Sequence, residues 1–528
     1  MKKYILKIKS IIAMNLIFTI LFSISIAMFP YLSKLLFDYD FSKGFAGVGY
    51  IIAAYAICIL LTAGTQYIAQ KYEWKILTKF NIIIKGHFMR AVFERGYIDY
   101  SKKTNSEYIS MLENDIKALE SSYVSVMIDV IRQAINLLVY GVFMFVFVDI
   151  RISIVILIAS IITIIVPKFT SNELSNKRKL ALEERGRYLS KVNDLLSGYK
   201  FINKNTVNQI SAEHENCLIN TENKLYNFGK FNTFVNILNA FVLNILSISV
   251  FSTVGYLLLK GQITIGTGVA TLGYIESFLY PMEYILNDIS SINSAKGAKE
   301  RVMKFLNVKS ADKENVSIFK ENIEFKNVSV KYDNVVLNKF SYVFEKNKKY
   351  AILGHNGSGK STILNALMNY VEISEGEITI DKRNIASCDT SDVMTCVNQS
   401  EHIFDANYAD NIRLFNSYDK NIADVEKLIK TNIVDIIKSK GSCQELSGGE
   451  KQVLNILRML LIDTPIFLLD EPFSAVDVDA TKILEKAIFS IQDKTMIVVT
   501  HKIMEENLKY FDEILMIEKG QLIKVVRN

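Results

Sequence analysis

The stretch Gly354-His355-Asn356-Gly357-Ser358-Gly359-Lys360-Ser361 lies between an apolar run, Tyr350–Leu353, and a helix-like run, Thr362–Met368. It fits the pattern GxxxxGK[ST] with its flanks in order: strand, phosphate-binding loop, helix. Gly354, Gly357 and Gly359 let successive backbone N–H groups curl around phosphate oxygens, with His355, Asn356 and Ser358 completing the loop. The N-terminus of the following helix, at Ser361 and Thr362, adds the positive end of its dipole. Lys360 would pair with the terminal phosphates of a nucleoside triphosphate, and the Ser361 hydroxyl would ligate Mg²⁺. Downstream, Ile466-Phe467-Leu468-Leu469-Asp470-Glu471 reads as a buried strand ending in two adjacent carboxylates. Asp470 would hold the Mg²⁺ water shell, and Glu471 would orient or deprotonate a water attacking the γ-phosphate. Strands alternating with amphipathic helices around these motifs predict an α/β P-loop NTPase domain for residues 320–528.

Upstream the chain changes character. Half of its 528 residues are hydrophobic and only 22% are charged, a balance tilted toward a membrane protein. A bilayer span needs about 20 mostly apolar residues, and six segments qualify: about 11–37, 46–70, 122–148, 152–167, 234–259 and 267–290. Their first, third and fifth connections are short. The second, about 71–121, and the fourth, about 168–232, are long, polar and helical in pattern, which predicts two helical extensions on one side. That side, with the N-terminus, carries most of the Lys and Arg of the front part, against Lys43, Arg151 and Lys260 on the other. Positive residues mark the cytosolic side, so both chain ends and the ATPase domain are expected in the cytoplasm of a multi-pass plasma-membrane protein. The net charge of +6 is accounted for by these loops, which removes nucleic acid as the expected partner. The basic start, MKKYILKIKS, precedes an apolar run longer than a signal-peptide core and is read as leading into a retained first span. Five cysteines (Cys58, Cys217, Cys388, Cys396, Cys443) are scattered without a CxxC pair or zinc-ligand spacing. The polar run Ser310–Ser317 divides a transmembrane domain (1–308) from the ATPase domain, with 309–319 as the linker.

Between the two phosphate-site motifs lies Leu446-Ser447-Gly448-Gly449-Glu450, followed by Lys451 and Gln452. In this order the motifs resemble those of ATP-binding cassette proteins. The resemblance implies that Ser447, Gly448, Gly449 and Glu450 open a second anion-binding helix that faces the γ-phosphate held by a partner subunit. It also identifies Gln399 with the Q-loop, which reaches the Mg²⁺, and Ser474-Ala475-Val476-Asp477 with the D-loop. His501 matches the switch histidine, and Tyr332 the aromatic that stacks on adenine. The front part is similar to the six-helix exporter type of this superfamily, notably at Thr104–Asp115 and Pro281. The implied protein is an exporter-type half-transporter, a homodimer or a heterodimer with a second half-transporter, using ATP and Mg²⁺.

Two departures stand out. Glu450 occupies a position where the family usually has Gln, and Gly441-Ser442-Cys443-Gln444-Glu445 lacks the usual acidic-glycine stretch in a shortened segment after Gln399. In the sixth span Glu276, Tyr280, Glu283 and Asn287 recur at helical spacing on one face, and acids at membrane depth seldom face lipid. With Asn236 and Asn239 of the fifth span they are candidates for lining a cargo cavity, while Asp129 and Arg132 read as a structural pair. The expected function is ATP-driven, alternating-access export of a peptide, an amphipathic small molecule or a lipid. The alternative is a nucleotide-gated sensor or channel without vectorial transport, against which the intact Glu471 argues.

Overall fold

A computed structural model of the chain describes residues 1–307, 313–332, 334–399, 402–429, 432–501 and 505–527. They form two compact units: Met1–Phe93 with Asn105–Val308, and Glu94–Thr104 with Lys309–Asn528. The front-part helices used below are α1 (Lys9–Phe37), α2 (Ala46–Phe93), α3 (Tyr97–Ser101), α4 (Ser125–Phe147), α5 (Ile150–Ser197), α6 (Val207–Leu259), α7 (Ile265–Ser294) and α8 (Lys296–Asn307). All but α3 belong to the first unit.

Among the described residues, four helices are long and apolar enough to cross a membrane: Lys9–Phe37, Ala46–Phe93, Asn105–Phe147 and Val207–Leu259. The fourth and sixth expected spans fall within α5 and α7, which are continuous helices. In α5 the side chains of residues 159–168 lie outside the described residues, and α7 carries the carboxylates Glu276, Glu283 and Asp288. Helices α2 and α6, at 48 and 53 residues, run far past the length a bilayer requires. The extension of α2 buries Ile76, Phe80, Ile84 and Phe88 completely. Their four-residue spacing makes one stripe, and Phe88 meets Phe305 of α8 with ring centroids 4.9 Å apart. Each such side chain withdrawn from water contributes about 1.5–3 kcal/mol, which is why a polar-looking connection folds as a packed helix.

At the other end of the bundle, Asp38 closes α1 and caps α7: its carboxylate accepts from the Gly266 N–H at 2.9 Å and the Thr264 hydroxyl at 2.7 Å. Close crossing of α1 and α7 depends on Gly273, where a Cβ would sit 3.0 Å from Pro30 Cγ. The pair Asp129–Arg132, 2.9 Å apart, gains a third member, Glu73, which ion-pairs with Arg132 and ties α2 to α4.

In the second unit, a four-stranded antiparallel sheet contains β1 (Asn322–Lys331), β2 (Val335–Glu345) and β4 (Glu375–Ile380). A six-stranded sheet contains β3 (Lys349–Leu353), β5 (Met394–Val397), β6 (Ile466–Asp470), β7 (Thr495–Val499), β8 (Glu513–Glu518) and β9 (Gln521–Arg527). Its order is β9-β8-β3-β7-β6-β5, parallel except for β9. Every residue of β6 and β7 is buried, as continuous apolar runs in a covered parallel sheet require. The helices used below are α9 (Lys360–Leu367), α10 (Gly448–Ile462) and α11 (Val478–Phe489).

The linker expectation needs correction at its C-terminal side. Glu314–Asn315 pairs in parallel with Cys388–Asp389, and Val316 and Phe319 are each 2% exposed in the core of the second unit. Two apolar residues in a polar run make no periodic signal, so the packed part of the linker was hidden in the sequence; residues 308–312 lie outside the described residues. The segment Glu94–Thr104 also groups with this unit: Tyr97 of α3 packs on Tyr370, ring centroids 4.4 Å apart.

Candidate functional site

Ligand sites in open α/β sheets form at the C-terminal ends of parallel strands, and three adjacent strands converge there. The loop after β3 turns into α9 through Gly359 at φ +99°, and a Cβ on Gly359 would lie 2.7 Å from the Val336 carbonyl oxygen. At Gly354 a Cβ would meet the Ile517 carbonyl at 2.3 Å. Both positions therefore exclude side chains on steric grounds. Gly357 also has positive φ, while His355, Asn356 and Gly357 are exposed at the loop's rim. Lys360 is buried and donates from Nζ to the carbonyls of Gly354 (2.8 Å) and His355 (3.0 Å). Burial lowers its affinity for a proton, and the nearby Glu471 and Asp470 oppose that. Ser358 Oγ is buried without a hydrogen-bond partner. A hydroxyl left so inside a glycine cradle suits a phosphate oxygen as its partner. Thr362 packs into the core behind the loop.

Strand β6 delivers Asp470, whose carboxyl burial raises above the usual carboxylate range; a hydrogen bond with Ser361 works against this and the neighbouring Glu471 charge adds to it. Glu471 follows the strand in a left-handed backbone conformation, φ +46°, which a non-glycine residue adopts at a cost of order 1–3 kcal/mol. Its N–H still donates to the Val499 carbonyl of β7 at 2.9 Å, so the sheet holds the strained residue in place. One Glu471 carboxylate oxygen accepts from Gln399 Nε2 at 3.1 Å, and the other lies 2.5 Å from His501 Nε2. Gln399 comes from beyond β5 and His501 from beyond β7, so three residues far apart in sequence meet on one carboxylate.

Ser447 caps the N-terminus of helix α10, and Ser447 and Gly448 are exposed. Gly449 is pressed against the D-loop: its Cβ would fall 2.7 Å from the Ala475 carbonyl oxygen. Asp477 caps α11 by accepting from the Ala480 N–H at 2.9 Å. Gln452, a residue that motif reading did not single out, lies buried one turn into α10. It donates to Ser474 Oγ at 2.9 Å and to the Gln399 carbonyl at 3.4 Å, and accepts from the Ala475 N–H at 2.9 Å. The only sequence signal for it was its place two residues after the LSGGE run. Tyr332 stands 56% exposed in the β1–β2 connection, its phenol raised by burial and then by the nearby Tyr97.

In the first unit, Glu276 and Tyr280 of α7 and Asn236 of α6 are exposed, and Asn239 is half-buried. The side chains of Glu283 and Asn287 lie outside the described residues.

Comparison with known proteins covers both parts of the chain. Residues 337–474 match the family model "ABC transporter", and residues 12–282, about half the chain, match "ABC transporter transmembrane region". An ATP-dependent lipid A-core flippase of Photobacterium profundum is 23% identical over 500 residues, covering 89% of this chain and 84% of the relative. A putative multidrug export ATP-binding/permease protein, YgaD of Bacillus subtilis, is 23% identical over 505 residues, with the same coverages. The fold is similar to that of a bacterial Atm1-family ABC exporter with ATP bound (TM-score 0.82, 18% identity), covering 98% of this chain and 95% of that one. An ATPase domain and a transmembrane region thus share one polypeptide, and the chain belongs to the ABC transporter family.

Proposed function

We propose that two copies of this chain form an exporter in which ATP hydrolysis drives an amphipathic or lipid cargo out of the cytoplasm or inner leaflet. The observation that carries the catalytic part is the Glu471 carboxylate, fixed by Gln399 and His501 at the sheet edge beside Asp470 and Lys360. In this reading Glu471 orients and deprotonates the attacking water, Gln399 and His501 hold its carboxylate in position, and Lys360 pairs with the β- and γ-phosphates. Tyr332 stacks on adenine. Ser361 and Asp470, already hydrogen-bonded to each other, together with Gln399 would hold Mg²⁺, which supplies charge neutralisation of the phosphates. One carboxylate and one hydroxyl suit an ion that keeps its remaining positions for phosphate and water.

Ser447, Gly448 and Asp477 complete the site on the other copy. Support for a second copy comes also from the first unit. The α5–α6 pair joins the bundle through Ile152, Ile156, Val250, Val254 and Leu257, yet along its polar extension it leaves Leu180, Leu189, Leu196, Ile219 and Tyr226 exposed. Apolar side chains facing water in that number favour coverage by a protein surface, and the intact site residues favour a homodimer. The proposed topology is six spans with the ATPase domain cytoplasmic. Names of the relatives point the cargo toward lipids and drugs, and the α7 stripe of Glu276, Tyr280, Glu283 and Asn287 favours a cationic or polar headgroup.

The test is the purified chain in lipid nanodiscs, screened for ATPase stimulation by lipids, cationic amphiphiles and peptides. Stimulation by lipids or amphiphiles, reduced by the double change Glu276→Gln, Glu283→Gln, is expected. Stimulation by peptides alone, or indifference to the double change, would overturn the cargo reading.

A further inference from the structure

Glu450 stands where the family usually has a neutral Gln, and the structure shows what this costs and how it is met. The side chain is the third residue of α10 and bends back so that Oε2 accepts from the Ser447 N–H at 2.6 Å, while Ser447 Oγ accepts from the Glu450 N–H at 3.4 Å. This reciprocal cap fixes the first turn of the helix. It also sets a full negative charge at a helix tip whose unpaired N–H groups carry only about half a positive charge. A tip in that state repels the anion it is supposed to bind.

Lys440 alters the balance. Its Nζ lies 2.6 Å from Glu450 Oε2 and donates to the Glu445 carbonyl at 3.2 Å. The side chains of the pair are 28% and 15% exposed, enough burial for the charges to be only partly screened by water. Burial alone would raise the Glu450 carboxyl, but the Lys440 and Ser447 hydrogen bonds outweigh it and hold the acid below its usual range. Lys440 immediately precedes Gly441–Glu445, the stretch that lacks the family's acidic-glycine pattern. Lys440 thus sets an ammonium directly against the carboxylate that stands in the signature.

We propose that Lys440 is a positioning residue of the ATPase site, cancelling the Glu450 charge so that the tip of α10 presents a net positive end to the γ-phosphate bound by the other copy. This rests on the reading of Ser447 and Gly448 as the partner half of the site. A Gln at position 450 would cap through its amide oxygen without the charge, and Lys440 would then have nothing to cancel.

The experiment is ATPase kinetics of the full chain in nanodiscs across a double-mutant cycle. Lys440→Met is expected to raise the KM for ATP about tenfold when Glu450 is present, the scale of an uncompensated charge near a phosphate, and less than about twofold when added to Glu450→Gln. Lys440→Arg should keep the wild-type KM, since it restores the charge. An equal effect of Lys440→Met in both backgrounds, as expected if Lys440 only braces the loop through the Glu445 carbonyl, would overturn the proposal, as would no effect in either. Ser447→Arg separates the two levels. If it leaves ATPase activity intact, the composite-site reading itself fails; if it abolishes activity while Lys440→Met behaves as wild type, only the role of Lys440 is lost.

Discussion

Glu471 is where the proposed chemistry of this transporter concentrates, because a strained backbone, a sheet hydrogen bond and two side chains all serve to place one carboxylate. Glu471→Gln keeps the shape and removes the proposed base. Turnover is expected to fall at least about 100-fold, with ATP retained on the protein, as measured by phosphate release and by bound-nucleotide analysis of the same sample; wild-type turnover would remove Glu471 from its role. Lys360→Ala is expected to abolish ATP binding, checked by equilibrium binding of a fluorescent nucleotide. Gln452→Leu leaves the Ala475 N–H and Ser474 Oγ without their partner, a loss of about 1–3 kcal/mol, and thermal unfolding of the ATPase domain should shift down while turnover falls. Order along the chain made Glu471, Gln399 and His501 candidates, and the structure brings the three side chains together. Gln452 was not a candidate, because its partners, the Ser474 hydroxyl and backbone groups of Gln399 and Ala475, take positions that depend on how the D-loop folds back onto α10.

At the level of elements, the β3–loop–α9 unit could be read from sequence because glycine positions and apolar runs report the same geometry twice. The structure adds the reason for Gly354 and Gly359, since carbonyl oxygens from β8 and β2 occupy the space where side chains would be. The contact of α10 with the D-loop was less legible. Gly449 is read from its motif as an anion-binding glycine, yet it also lets α10 approach the Ala475 backbone. Gly449→Ala is expected to cost about 1–3 kcal/mol through overpacking and to lower ATPase activity, with calorimetry and phosphate release as the two readouts; unchanged stability would show that the D-loop yields freely. Helix α2 gives the converse lesson. Its four-residue stripe of Ile76, Phe80, Ile84 and Phe88 is plain in the sequence, but its partner, Phe305 of α8, lies more than two hundred residues away, and periodicity names a buried face without naming what covers it.

The whole molecule is an ATP-driven membrane transporter assembled from a helical bundle and an α/β ATPase. Hydropathy divides the chain near residue 310, and it misses packing that depends on isolated residues, as at Val316 and Phe319. It also places acids in α7, where apolarity alone does not select a span, and these are the residues through which cargo is expected to be recognised. The central claim is that the glycine cradle of one copy and the α10 tip of another close on a shared nucleotide. The most direct measurement places one nitroxide at Val478, an exposed position at the start of α11, in a cysteine-free chain carrying Glu471→Gln, and reads the inter-copy distance by pulsed electron resonance in nanodiscs. ATP with Mg²⁺ should convert a broad, long distribution into a single short distance. A distribution unchanged by ATP, or the absence of any inter-copy distance, would contradict the account.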